Sequence, residues 1–142
     1  MILDQINYWT IPAGMVLSML IGMIYYNPRV MGGVWMRAME KSGIALRANG
    51  NAAIALTLPL SAMNSFFFAI ILQWVGAPGP NETGMITGLW VGVIIWLGFS
   101  FTNLAINSLF SATTIKLFMI NTLHFLILYL AMGATFGMMQ WG

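Results

Sequence analysis

Four long apolar runs separated by short polar segments organise this chain. A membrane-spanning helix needs roughly 20 mostly apolar residues, and the runs at residues 6–26, 52–75, 84–107 and 117–139 meet that length. The first ends at Asn27-Pro28, because proline disfavours helical backbone at the residue before it. Between the first two runs, Val34 to Ser42 reads as a short amphipathic helix. Val34, Trp35, Ala38 and Met39 face one way, and Arg37, Glu40 and Lys41 the other. Gly43 and Asn49-Gly50 punctuate the remainder of that loop. Gly76-Ala77-Pro78-Gly79-Pro80-Asn81 is a turn, and Ser108 to Lys116 is a short loop. The pattern predicts an all-α, single-domain membrane bundle of four helices over residues 1–142, with a small helix in the first loop.

The charges give this bundle an orientation. There are only five basic and three acidic residues in 142. Arg29, Arg37, Lys41 and Arg47 fall between the first two runs, and Lys116 between the last two. Asp4 and Glu82 lie in the alternate segments, with Glu40 the exception. Every Lys and Arg therefore lands on one side, which the positive-inside rule makes the cytoplasm, with both termini outside. Tyr8, Trp9, Trp74 and Trp141 fall near the outer boundary and Tyr25, Tyr26 and Trp35 near the inner one, as amphipathic rings prefer. Trp96 lies mid-span and is expected to pack inside.

Composition supports the same class. The chain is 60% apolar and 6% charged, with a mean hydropathy of +0.87, whereas soluble domains carry about 25% charged residues. The net charge of +2 comes from the inner loops and argues for membrane orientation, not for nucleic-acid binding. With no cysteine, disulfides, thiolate metal sites and cysteine catalysis are excluded. No basic leader segment or small-residue cleavage site is evident, so the first run is expected to be a retained helix. Two hairpins of like orientation raise the idea of a parallel repeat, carried by little beyond their glycines.

Small residues four apart share a helix face and let another backbone approach. The first run has Gly14, Ser18 and Gly22, the third Gly84, Gly88 and Gly92, and the fourth Gly133 and Gly137. Packing within one bundle is the plainer reading, and contact with another chain is the alternative. Polar residues also fall inside the runs: Asn64 in the second, Asn103 and Asn107 in the third, Asn121 and His124 in the fourth. At ~1.5 Å per residue most of these lie in the inner half. A polar group in hydrocarbon needs a partner, so they are expected to turn inward. A hydrogen bond from Asn121 or His124 to another span, through Asn103 or Asn64, is the specific expectation. Structural bonding is the plainer reading, and a polar path around His124 the functional one. Ion-coupled transporters usually carry an intramembrane charge, and none is present here.

Other chemistry is thin. His124 has no second histidine or cysteine to form a metal set. Met15, Met19 and Met23 make a stripe of soft thioethers that suit Cu(I), but methionine as flexible apolar filler explains them. Gly32-Gly33 in the basic loop offers backbone amides to lipid phosphates, or is simply a turn. No nucleophile–base pair, phosphate-binding glycine loop or carboxylate dyad is present, and no metal or cofactor is expected.

Several stretches carry a resemblance in their order and spacing. These are Tyr25-Tyr26-Asn27-Pro28; Gly33-Val34-Trp35-Met36-Arg37; Trp96-Leu97-Gly98-Phe99 with Thr102 and Asn103; and Lys116-Leu117-Phe118-Met119-Ile120-Asn121 with His124 and Met132-Gly133. Over nearly its whole length the chain resembles the bacterial membrane family called domain of unknown function 1761. The resemblance implies a small four-span protein and no particular activity, substrate or cofactor. The leading expectation is a non-enzymatic inner-membrane protein that acts through helix packing. It would be a homo-oligomer or an accessory subunit of a larger complex, in contact with membrane lipid. The alternative is a small transporter or channel using Asn64, Asn103, Asn121 and His124, and a lipid-acting enzyme comes third.

Overall fold

The computed structural model describes residues 2–43, 50–111 and 113–142, so Arg47 and Asn49 lie outside the described residues. Within them the protein is all-α, without strands. A 3-10 turn at Ile2–Gln5 precedes α1 (Thr10–Tyr25). A π-helical turn at Pro28–Gly32 leads into α2 (Gly33–Lys41), and α3 (Gly50–Val75) follows. Next come α4 (Gly84–Ile95), a second π-helical segment at Trp96–Phe101, α5 (Thr102–Phe110) and α6 (Ile115–Trp141).

Hydroxyl and amide caps set several of these starts. Thr83 Oγ1 accepts from the Ile86 N–H at 3.3 Å, and Thr114 Oγ1 from the Leu117 N–H at 3.3 Å. Each satisfies a backbone donor that the first helical turn leaves open. The Thr114 cap begins α6 two residues before the apolar run from Leu117. Asn27 Oδ1 accepts from Arg29 N at 2.9 Å and opens the π-turn behind Pro28. In α3, Pro59 sits inside the helix, where it lacks an N–H and crowds the preceding turn.

The stretches Ile54–Val75, Gly84–Phe110 and Ile115–Trp141 are each long and apolar enough to cross a membrane. The first apolar run is not one helix. Asn7 takes the chain through a turn before α1, and α1 itself has 16 residues. With the Pro28–Lys41 piece, bent from it by 44°, α1 forms a fourth candidate span if the pair is taken as one.

Helix α6 is central, with α4 against one side and α1 against another, and α3 packs chiefly on α1. Glycine permits the first of these contacts. A Cβ on Gly84 would meet the Gly137 carbonyl, one on Gly88 the Gly133 carbonyl, and one on Gly92 the Tyr129 carbonyl. The relation is reciprocal at Gly133 and Gly137, so the glycine ladders of α4 and α6 face each other within one chain. Close backbone approach of this kind is a main attraction between helices in lipid. In the α1 ladder, Gly14 sits against Ser65 and Phe136, Ser18 Oγ donates to the Gly14 carbonyl at 2.8 Å, and Gly22 faces open space.

A core of Phe68, Leu72, Val91, Ile95, Tyr129, Met132 and Phe136 fills the space where these helices meet. Phe68 stacks on Tyr129 at 6.0 Å and meets Phe136 edge-on at 5.4 Å. The arrangement leaves Arg29, Arg37, Lys41 and Lys116 at one end, where α2 packs on the start of α6. Asp4 and Glu82 fall at the other, beside the end of α6.

Candidate functional site

At the basic end, aromatic and polar residues from three helices converge. Tyr25 and Tyr26 close α1, Trp35 stands on α2, and Asn121 and His124 share one face of α6. The Tyr25 hydroxyl is buried and donates to the Ile120 carbonyl at 2.8 Å. One oxygen, Asn121 Oδ1, accepts both the Tyr26 hydroxyl at 3.3 Å and the Trp35 indole N–H at 3.2 Å. The His124 ring packs on Tyr25 at 5.3 Å, on Tyr26 at 5.0 Å and on Phe125 at 5.3 Å. Its Nε2 is buried and has no hydrogen-bond partner among the described residues. The site therefore joins α1, α2 and α6 through one amide oxygen and a histidine clasped by aromatic rings.

The Pro28–Gly32 turn brings α2 back onto this cluster. Gly32 is required there, because a Cβ would run into the Tyr26 carbonyl. Ala38 on α2 is buried with Leu117 and Ile120, while Arg37, Glu40 and Lys41 are exposed.

The remaining polar residues lie elsewhere. Asn64 is deeper in the bundle, where Oδ1 accepts from the Tyr129 hydroxyl at 3.2 Å and Nδ2 approaches Met132 Sδ at 3.8 Å. Asn103 and Asn107 do not turn inward as expected: both are exposed on α5. Among the described residues Asn103 Nδ2 bonds only its own helix, at the Phe99 carbonyl, 2.6 Å away, and the Asn107 side chain has no partner. The expected link from Asn121 to another element exists, but it runs to Tyr26 and Trp35, not to Asn103 or Asn64. The five residues thus occupy three places.

The π-segment explains the difference. In an unbroken helix, Asn103 is 11 residues from Gly92, about three turns, and so on the glycine face toward α6. Trp96–Phe101 takes up an extra residue, which turns the rest of the span by on the order of 100°. The segment itself is held by the Trp96 indole N–H, which donates to the Thr122 carbonyl of α6 at 2.9 Å.

Sequence reasoning missed a polar clasp at the opposite end. The Asn7 backbone N–H donates to Gln140 Oε1 at 3.0 Å, and Asn7 Nδ2 to the Met139 carbonyl at 2.9 Å. Gln140 Nε2 donates to the Gln5 carbonyl at 2.7 Å, and Gln73 Nε2 to Gln5 Oε1 at 3.0 Å. The only signal was glutamine and asparagine at span ends, which also fits simple solvation.

Comparison with known proteins adds one result. No curated protein and no solved structure matches the chain. A family model described as "Protein of unknown function (DUF1761)" matches residues 9–137, and the chain therefore belongs to that family.

Proposed function

We propose that this is a non-enzymatic, four-span protein of the bacterial inner membrane that works by lateral association, as a homo-oligomer, with both termini extracytoplasmic. The observation that carries the reading is the uncovered polar face of α5. Ser100, Asn103 and Asn107 line a cavity of about 510 Å³ with Phe99, Leu104 and Phe125. One of its amides bonds only its own helix, and the other bonds nothing among the described residues. Polar groups at membrane depth are satisfied by neighbouring helices, and only 17% of the third span's most apolar window is buried within the chain. The glycine ladders of α4 and α6, by contrast, are occupied by packing against each other and against α6 backbone inside one chain, so association falls to the asparagine face. The transporter reading draws no support from polar residues that lie in three separate places. An accessory role in a larger complex uses the same face with a different neighbour.

Single-molecule photobleaching of labelled protein in native-lipid nanodiscs tests this. The parent is expected to bleach in two or more steps. Asn103→Leu with Asn107→Leu is expected to bleach in one step while keeping the parent's helical spectrum. A one-step parent that co-purifies with no other membrane chain would overturn the reading. A one-step parent that brings down a membrane chain, lost in the double variant, points to the accessory role instead.

A further inference from the structure

A second cavity of about 510 Å³ lies on the other side of the Trp96–Phe101 segment, within the ~300–1,000 Å³ range of ligand sites. Its walls are apolar, with Met31, Val34, Trp96, Leu123 and Leu126 among them. Two polar groups break the pattern. Lys116 lines the cavity near the start of α6; it is exposed and has no ion-pair partner among the described residues. Thr122 also lines it, is 3% exposed, and its hydroxyl has no hydrogen-bond partner among the described residues. We infer that this groove holds one acyl chain of an anionic glycerophospholipid, with Lys116 on the phosphate and the Thr122 hydroxyl on an ester carbonyl.

The chemistry selects this occupant. An apolar groove lined by one ammonium at the protein's basic end complements an amphiphile with a negative head. Thr122 is six residues beyond Lys116, roughly 9 Å further along α6, below the level of a headgroup. A buried hydroxyl without a partner is costly, and an ester carbonyl lies beneath the phosphate in a glycerophospholipid. A free fatty acid has a single polar group at its head and nothing to offer Thr122. The inference needs only that α6 spans the membrane, and it stands or falls separately from the asparagine face on α5.

Native mass spectrometry of the full-length protein decides it, with equimolar dioleoyl phosphatidylglycerol and dioleoyl phosphatidylcholine as probes and oleate in a separate titration. The first bound lipid should be phosphatidylglycerol by about fivefold, the preference expected of one lysine near an anionic headgroup. Lys116→Gln should bring that ratio to near unity, whereas Arg37→Gln should leave it unchanged. Thr122→Val should weaken both phospholipids and keep the ratio. Leu123→Trp, which fills the groove, should reduce the first bound lipid of either kind. A parent without preference, a preference untouched by Lys116→Gln, or an equal loss in Arg37→Gln would overturn the assignment. Oleate bound as tightly as phosphatidylglycerol would overturn the ester contact.

Discussion

Asn121 Oδ1 is a single acceptor for two donors on two different elements. Removing it strands both the Tyr26 hydroxyl and the Trp35 indole N–H in a half-buried setting. Asn121→Leu should therefore cost about 1–2 kcal/mol, while Tyr26→Phe, which removes one donor, should cost about 0.6 kcal/mol, the average for interhelical bonds in membranes. Reversible unfolding in mixed micelles measures both, and equal costs would mean that Trp35 does not share the oxygen. His124 differs, because its contacts are ring on ring and Nε2 bonds nothing among the described residues. His124→Phe should keep the fold within about 1.5 kcal/mol, as volume-conserving swaps usually do. A larger loss in the same assay would reveal a partner for that nitrogen, such as a buried water.

At the scale of helices, α4 and α6 meet through glycine backbones, and α6 has no alternative surface to offer there. Gly88→Leu would put a side chain where the Gly133 carbonyl lies. The two helices must then separate, at a cost of about 3 kcal/mol or more. Gly22 has the opposite environment, with nothing within 4 Å of the place a Cβ would take. Gly22→Ala should stabilise α1 by roughly 0.5–1 kcal/mol, because alanine loses less backbone freedom on folding. Unfolding midpoints of the two variants should move in opposite directions from the parent. A common direction would mean that the ladders do not differ as the backbone contacts require.

For the whole molecule the question is which side of the membrane each end occupies. The basic end collects Arg29, Arg37, Lys41 and Lys116, and Asp4 and Glu82 fall at the other. The chain has no cysteine, so single-cysteine variants carry no background. Ser42→Cys should be shielded from an impermeant maleimide in intact cells, and Glu82→Cys should react, if the basic end is cytoplasmic. Labelling of both from outside would refute the topology.

The sequence by itself determined the helical class, the apolar stretches and the family. Each of these depends on local composition and spacing, which a single chain displays directly. The order Tyr25-Tyr26, Trp35, Asn121, His124 was legible as a motif, but not as a site. Nothing local says that two aromatic donors 86 and 95 positions away would share one amide oxygen. Only the tertiary structure decided which faces meet. One extra residue accommodated at Trp96–Phe101 rotates everything after it, so the helical period that put Gly84, Gly88 and Gly92 on one packing face, whose partner the structure shows to be α6, misplaced Asn103 and Asn107. The clasp of Gln5, Asn7, Gln73 and Gln140 was invisible for the same reason. Hydrogen bonds between chain ends depend on where the bundle brings those ends, and no spacing along the sequence encodes that.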